Sequence, residues 1–361
     1  MKKFALKSLV AVVLATLLGV FAYNHFALYR FKWLLNLDLK ALQMPPERAQ
    51  NRFAHSKTKC DFNPYFNAPY LAQDAANSAQ NGTLNSQSEL KNAPQSLANS
   101  DFLIAHAGGG LIVGDEKFSY TNSKEALLQS ISEGFKFIEL DLMLDIDGDI
   151  FAAHDYEHFY GITGAKFTDK TALQRPPSKD YIRKGRIYGR FSPLEKDEIN
   201  EIFLANPSVY LVTDKLNDFT ALSRQLKFKD RLLVEVFSTQ NYFKALKMGF
   251  KYPMFCVWDS ADALKEAMRL DIAMITANTR LLQSEQGEKL AREYIENGGC
   301  IMAFSSNEKA FIDKHKNAHA TAFYTDFYDI KNGRCKIDES ECKTYYIWGK
   351  FGLKFSIFWK I

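Results

Sequence analysis

The sequence has no long run of basic residues. Its 46 Lys and Arg are spread against 42 Asp and Glu, leaving a net charge of +4, too weak to imply a nucleic-acid partner, and no nucleic-acid motif is present. There is no compact set of His and Cys at metal-ligand spacing, which argues against zinc. Cysteine is scarce, with five in 361 residues. Cys335 and Cys342 lie seven apart in the polar segment RCKIDESEC and are expected to pair in an oxidising compartment. Cys256 and Cys300 sit in or beside apolar strands and read as core thiols, while Cys60 has no evident partner. Long apolar runs are also missing. The best stretch, Leu9 to Tyr23, falls short of the roughly 17–25 residues of a membrane span. It follows Lys2, Lys3 and Lys7, the layout of an export signal, and Val20-Phe21-Ala22 offers a cleavage site. Phe26, Leu28, Trp33, Leu34 and Leu35 extend the apolar face, so residues 1–35 are expected to be a signal peptide or an uncleaved signal anchor. The body is then exported to the periplasm and tethered to the inner membrane.

What is present falls into three further parts. Residues 36–100 form a linker region, rich in Asn, Gln, Ser and Ala from Ala72 onward. From 101 to 330, short apolar runs alternate with longer amphipathic ones. Strands are expected at Phe102–Ala105, Phe137–Leu144, Val209–Thr213, Arg231–Phe237, Tyr252–Trp258, Ile272–Thr276, Cys300–Phe304 and Ala322–Thr325. Helical spacing falls at Lys124–Glu133, Pro193–Phe203, Thr239–Lys247, Ser260–Leu270, Ser284–Glu296 and Glu308–His315. This alternation predicts an α/β protein, a (β/α)8 TIM barrel, with a doubly wound open sheet as the alternative. Strand after strand ends in a polar residue: His106, Glu139 with Asp141, Asp214, Ser238, Asp259, Asn278, Ser305 and Asp326. In a parallel barrel those ends share one mouth. Residues 156–192 read as an insertion over it, with Tyr156, His158, Lys184, Arg186 and Arg190. Residues 331–361 are an aromatic extension expected to pack against the barrel, with a surface that meets lipid as the alternative.

The chemistry concentrates in IELDLMLDIDGDIFAAHD, residues 138–155. Glu139 and Asp141 are two apart on a strand, so they face the same way. Adjacent buried carboxylates repel, and a hard divalent cation, Mg²⁺ or Ca²⁺, removes that cost. DIDGD lacks the length and closing glutamate of a calcium loop, and DG between alternating runs marks a hairpin turn. The turn returns His154 to the same mouth. His106 ends the first strand before AGGG, where glycines permit close approach of a ligand. Two histidines beside a metal suit phosphodiester cleavage, one as base and the other as acid.

LIAHAGGG, YTNSKEAL and GFKFIELDLMLDIDGDIFAAHD together resemble the glycerophosphodiester phosphodiesterase family of phosphatidylinositol phospholipase C-like barrels, as a divergent member. His106, Asn122, Glu139, Asp141, His154 and Asp155 match its pattern in order. FSPLEKDEINEIF and AFYTDF extend the likeness over about residues 102–328. The resemblance implies a metal-dependent phosphoric diester hydrolase with His106 and His154 catalytic. Glu139, Asp141 and Asp214 would hold the metal, with Glu235 the rival third ligand, and Lys215 and Asn122 would contact substrate.

The departures are specific. Ala107 stands where the family has a phosphate-gripping arginine, Thr121 replaces a glutamate, and Asp214 adjoins Lys215 in VTDK. Strand alternation sends such neighbours apart unless the strand ends there. Expected substrates are glycerophosphodiesters, lysophospholipids or phosphodiester-linked envelope glycans, cleaved by water or by the substrate's own hydroxyl. The alternative is an inactive barrel that binds envelope phospholipid or glycan.

Overall fold

The structure, a computed structural model, describes residues 102–166, 170–338 and 340–342. The expected signal segment 1–35, the linker 36–100 and most of the aromatic extension lie outside these residues. No helix among the described residues is long and apolar enough to cross a membrane.

The chain opens with β1 (Leu103–Ala105), a ribbon of β2 (Leu111–Val113) and β3 (Glu116–Phe118), and helix α1 (Lys124–Glu133). β4 (Phe137–Leu144) and β5 (Ile150–Ala152) follow, then α2 (Tyr156–Ile162), α3 (Lys179–Lys184) and α4 (Lys196–Ala205). Next come β6 (Tyr210–Asp214), α5 (Phe219–Gln225), β7 (Leu232–Val236), α6 (Thr239–Lys247), β8 (Tyr252–Trp258) and α7 (Ala261–Arg269). β9 (Met274–Asn278), α8 (Glu285–Glu296), β10 (Cys300–Phe304), α9 (Lys309–His315) and β11 (Ala322–Thr325) complete the alternation. A short ribbon, β12 (Tyr328–Asp329) with β13 (Arg334–Cys335), ends it.

Eight strands, β1, β4, β6, β7, β8, β9, β10 and β11, pair in parallel in that order, and β1 pairs with both β4 and β11, closing the barrel. Period-two alternation explains its two cores. Ile104, Phe137, Val212, Leu233, Met254, Met274 and Met302 fill the inside. Leu103, Ile138, Leu140, Leu211, Val234 and Ile301 face outward into the helix layer. Each fully buried aliphatic or aromatic side chain contributes about 1.5–3 kcal/mol, so the floor of the barrel supplies stability that its polar mouth does not. The helices start where the sequence supplies caps. The Ser123 hydroxyl accepts the Ala126 N–H, and Ser260 and Ser284 do the same for α7 and α8, each cap contributing about 1 kcal/mol.

β4 serves two sheets. Phe137–Asp141 pair with β6 in parallel, while Leu142–Leu144 pair antiparallel with β5. The turn between them is closed by its own acids: the Asp145 carboxylate accepts from the N–H groups of Asp147 and Asp149, at 2.9 and 2.8 Å. Asp149 in turn takes Lys179 and Lys196. DIDGD is therefore a hairpin turn.

Three expectations are corrected. β9 begins at Met274 rather than Ile272, because the Ile272 N–H donates to Ala267 O at the end of α7. Residues 193–195 are extended rather than helical, since Pro193 and Glu195 form bridges with Ser123 and Phe151. Cys300 is disulfide-bonded rather than a core thiol, whereas Cys256 is free and buried. Cys335 and Cys342 are joined as expected.

Candidate active site

Alternation along β4 turns Phe137, Glu139 and Asp141 to the barrel interior, and β6 does the same for Val212 and Asp214. The register sets Asp141 opposite Asp214. One oxygen from each of Glu139, Asp141 and Asp214 lies within 4.8 Å of the others. Each acid is held by a different part of the chain. Glu139 Oε2 accepts the Ala107 N–H at 2.5 Å. Asn122 donates through Nδ2 to Asp141 Oδ2 at 2.9 Å, and its Oδ1 accepts the Asp141 N–H at 3.0 Å. Asn122 is itself fixed by donating its N–H to Ala107 O. Both ends of its amide are thus spent on Asp141, and it is 1% exposed, so it positions Asp141 rather than facing the open mouth.

Lys215 resolves the problem set by VTDK. β6 ends at Asp214, and Lys215 takes a left-handed φ of 55°, which breaks the alternation and returns its side chain to the mouth. Its Nζ lies 2.6 Å from Asp214 Oδ2 and 3.4 Å from Asp141 Oδ1. Three carboxylates around one ammonium leave an excess of negative charge. Burial, reinforced by Asp141 and Asp214, pushes the Glu139 carboxyl well above the usual range. Burial and Asp141 likewise raise Asp214. Burial also works against ionised Asp141, but Lys215, His154 and Asn122 outweigh it and hold its carboxyl low. Asp214 Oδ1 is buried with no hydrogen-bond partner among the described residues. An oxygen-only donor set with one orphaned carboxylate oxygen fits a hard divalent cation. Glu235, the rival ligand, is outside this cluster. Burial raises its carboxyl, opposed by the Cys256 thiol and Lys215, and Tyr324 Oη lies 3.5 Å from its Oε2.

Both histidines are backed by a carboxylate on the Nδ1 side. His154 Nδ1 lies 2.7 Å from Asp155 Oδ2. His106 Nδ1 is 3.2 Å from Asp326 Oδ1, at ion-pair distance but off the line of a hydrogen bond. A carboxylate on the Nδ1 side leaves Nε2 of each ring on the opposite side. Tyr120 stands between the two imidazoles, 4.5 Å from His106 and 5.7 Å from His154 by ring centroids.

Several other expectations change. The glycines of AGGG serve packing: a Cβ on Gly109 would meet Ser130 Oγ at 2.3 Å, and one on Gly110 would meet the Phe327 ring at 2.5 Å. Ala107 is fully buried at φ 49°, so no side chain reaches out from the family's arginine position. The cations of the insertion have partners elsewhere: Lys184 pairs with Asp180, Arg190 with Glu116, and Arg186 donates to Gly185 O. Tyr156 Oη donates to Leu144 O. Asp326 was legible as a strand-end polar residue but not as the partner of His106, and nothing in the sequence marked Tyr120.

No protein-family model and no curated protein matches the chain. Solved structures do. The Oleispira antarctica phosphodiesterase, determined in complex with the product sn-glycerol-3-phosphate, superposes with TM-score 0.51 at 17% identity, over 65% of this chain and 96% of that one. A glycerophosphodiester phosphodiesterase from Thermotoga maritima gives 0.46 at 16% identity, over 58% and 89%. One from Agrobacterium tumefaciens gives 0.47 at 14%, over 64% and 98%. The chain is similar in fold to the Oleispira antarctica phosphodiesterase barrel.

Proposed function

We propose that the chain is a metal-dependent phosphoric diester hydrolase acting on glycerophosphodiesters. The observation that carries this is the meeting, at one barrel mouth, of three carboxylates with two carboxylate-backed histidines. The product held by the Oleispira antarctica phosphodiesterase supports glycerol phosphate as the common part of the substrate. Glu139, Asp141 and Asp214 would hold Mg²⁺ or Ca²⁺, which when bound supplies Lewis-acid stabilisation of negative charge on the phosphoryl oxygens. Lys215 adds a fixed positive charge beside that position. One histidine takes the proton of the attacking hydroxyl as its oxygen bonds to phosphorus. The other protonates the leaving oxygen as its bond to phosphorus breaks. Water as attacker yields a phosphomonoester, and a neighbouring substrate hydroxyl yields a cyclic phosphate. Asp155 and Asp326 balance the imidazolium formed in each half of the exchange.

The sequence of residues 1–35, a basic start before an apolar stretch, supports export to the periplasm, with that segment as a cleaved signal or a tether to the inner membrane. Protease accessibility in spheroplasts checks this location. For the activity, the purified full chain is assayed on a panel of phosphodiesters with each metal and with chelator, and products are resolved by ³¹P NMR. Turnover that needs a divalent cation and is lost in His106→Ala is expected. No turnover with either metal, or full activity in His106→Ala, sinks the reading and leaves a barrel that only binds.

A further inference from the structure

The two histidines at the mouth are oriented by different means. Asp155 holds His154 through a hydrogen bond of 2.7 Å at Nδ1. His106 has no such bond. Among the described residues its Nδ1 finds no hydrogen-bond partner, and neither does Asp326 Oδ1, which stands 3.2 Å away. A charge at that distance but off the bonding line attracts the ring without fixing its plane, and the χ2 well of a histidine is broad. Packing must therefore confine the imidazole. Two tyrosine rings meet it nearly at right angles, Tyr120 at 4.5 Å and 72°, and Tyr324 at 5.8 Å and 87°. Tyr120 is the nearer, and the same ring reaches His154 at 5.7 Å and 77°.

The loop that carries Tyr120 is anchored on every other residue. In residues 119–123 all but Tyr120 are buried, and Tyr120 is half-buried. The hydroxyls of Thr121 and Ser123 meet at 2.9 Å, and Ser123 caps α1. Asn122 is bonded to Asp141 through its amide and to Ala107 O through its N–H. Tyr120 takes φ 55° and Asn122 φ 48°. Asparagine tolerates that left-handed region, whereas a bulky aromatic residue there is strained and persists only because its surroundings hold it. The strained residue is the one whose ring touches both imidazoles.

We propose that Tyr120 is a positioning residue, whose ring sets the plane of His106 and the spacing of His106 from His154 so that both imidazoles serve one phosphodiester. This deepens the phosphodiesterase reading and rests on it. Proton transfer by two groups to one phosphodiester depends on where each ring nitrogen points, and a misplacement of about 1 Å costs on the order of 10²-fold. The flat ring does this work rather than the hydroxyl, because both contacts are ring to ring.

The test uses the full chain as wild type, Tyr120→Phe, Tyr120→Leu and Tyr120→Ala, assayed on an accepted glycerophosphodiester with the metal that supports turnover. Tyr120→Ala is expected to lower kcat about 10²-fold with KM unchanged. Tyr120→Phe keeps both ring contacts and should retain most of the wild-type kcat. Tyr120→Leu restores bulk without a flat face and should fall between them, which keeps the test open where Tyr120→Ala does not fold. A loss in Tyr120→Phe equal to that in Tyr120→Ala, or a rise in KM at unchanged kcat, overturns the proposal. Calorimetric titration with Mg²⁺ or Ca²⁺ should give the same affinity in wild type and Tyr120→Ala. A parallel loss there traces the defect to Asn122 and also overturns it. The last measurement needs no turnover. In spectra of ¹⁵N-histidine-labelled protein the His106 ring signals should be single in wild type and Tyr120→Phe, and broadened or split in Tyr120→Ala. Single, sharp signals in Tyr120→Ala overturn the positioning role whatever the activity. The expected spectra with no turnover of any diester leave the ring's role standing and sink the phosphodiesterase reading.

Discussion

Two pairs of histidines lie at opposite ends of the barrel, and their surroundings are reversed. His106 and His154 follow the carboxyl ends of β1 and β5, each with a carboxylate on Nδ1. His315 and His319 precede β11, at the amino end of the strands. There His319 Nε2 lies 2.9 Å from the Arg292 guanidinium, the two Nδ1 atoms are 3.3 Å apart, and Lys314 lies alongside. The acid that faces them, Glu288, is taken by Lys314 at 2.6 Å and lies 3.8 Å from His315 Nε2. Burial, reinforced by Lys314 and His319, pushes His315 down to about 4, and burial with Arg292 lowers His319. The same residue type is thus paired with carboxylates at one end and placed beside cations, with its charged form disfavoured, at the other. Position along a parallel strand, rather than the residue, decides which.

The comparison breaks most sharply in activity. His106→Ala and His154→Ala should each lower kcat/KM by about 10²–10⁴-fold, measured on any accepted diester. The double variant should be little worse than the poorer single one, because the two act as a unit. His315→Gln should leave kcat/KM unchanged. A loss there would erase the distinction between the two ends.

Next in size is the cation. Chelation, or Asp214→Asn, should abolish turnover, and a divalent ion at a hundred times its Kd should stabilise the wild type by about 2.7 kcal/mol. Calorimetry that finds no shift in Tm with Mg²⁺ or Ca²⁺ contradicts the ligand assignment. Asn122→Ala removes both hydrogen bonds to Asp141 and should cost about 10–100-fold in metal affinity, read by titration rather than by rate alone. The smallest effect belongs to the floor. Because His315 and His319 have lowered folded values, the unfolded chain binds more protons between pH 6.5 and about 4. Their contribution is complete above pH 6.5 and is lost as pH falls through that window, on the order of 1–2 kcal/mol. Denaturation midpoints of wild type and His315→Gln between pH 7 and 4.5 should converge accordingly.

Most of the barrel was legible because period-two alternation is a strong local signal. All eight expected strands are present, and α1 and α6 have the expected bounds. The misses have local causes. α2, α3 and α5 are six or seven residues long and show little helical period, although α9, of the same length, was read from its spacing. β2 and β3 are three residues each. At the site, Glu139, Asp141 and His154 were readable from spacing, and the carboxylate whose oxygen converges with those of Glu139 and Asp141 is Asp214, not Glu235. Lys215 was ambiguous because a single left-handed residue overrides alternation, and no sequence pattern announces one after an aspartate. Asn122 was assigned to substrate because its role depends on a bond to a residue 19 positions away.

Asp155 carries one more consequence. Its Oδ2 holds His154 Nδ1, while its Oδ1 accepts the His158 N–H and caps α2. One carboxylate therefore links the His154 imidazole to the first helix of the insertion. Any change in sequence that tilts α2 turns His154 with it, although the barrel is untouched. A segment outside the barrel is thus coupled to a histidine at its mouth. Evolution could thus retune the rate of this chain from its periphery.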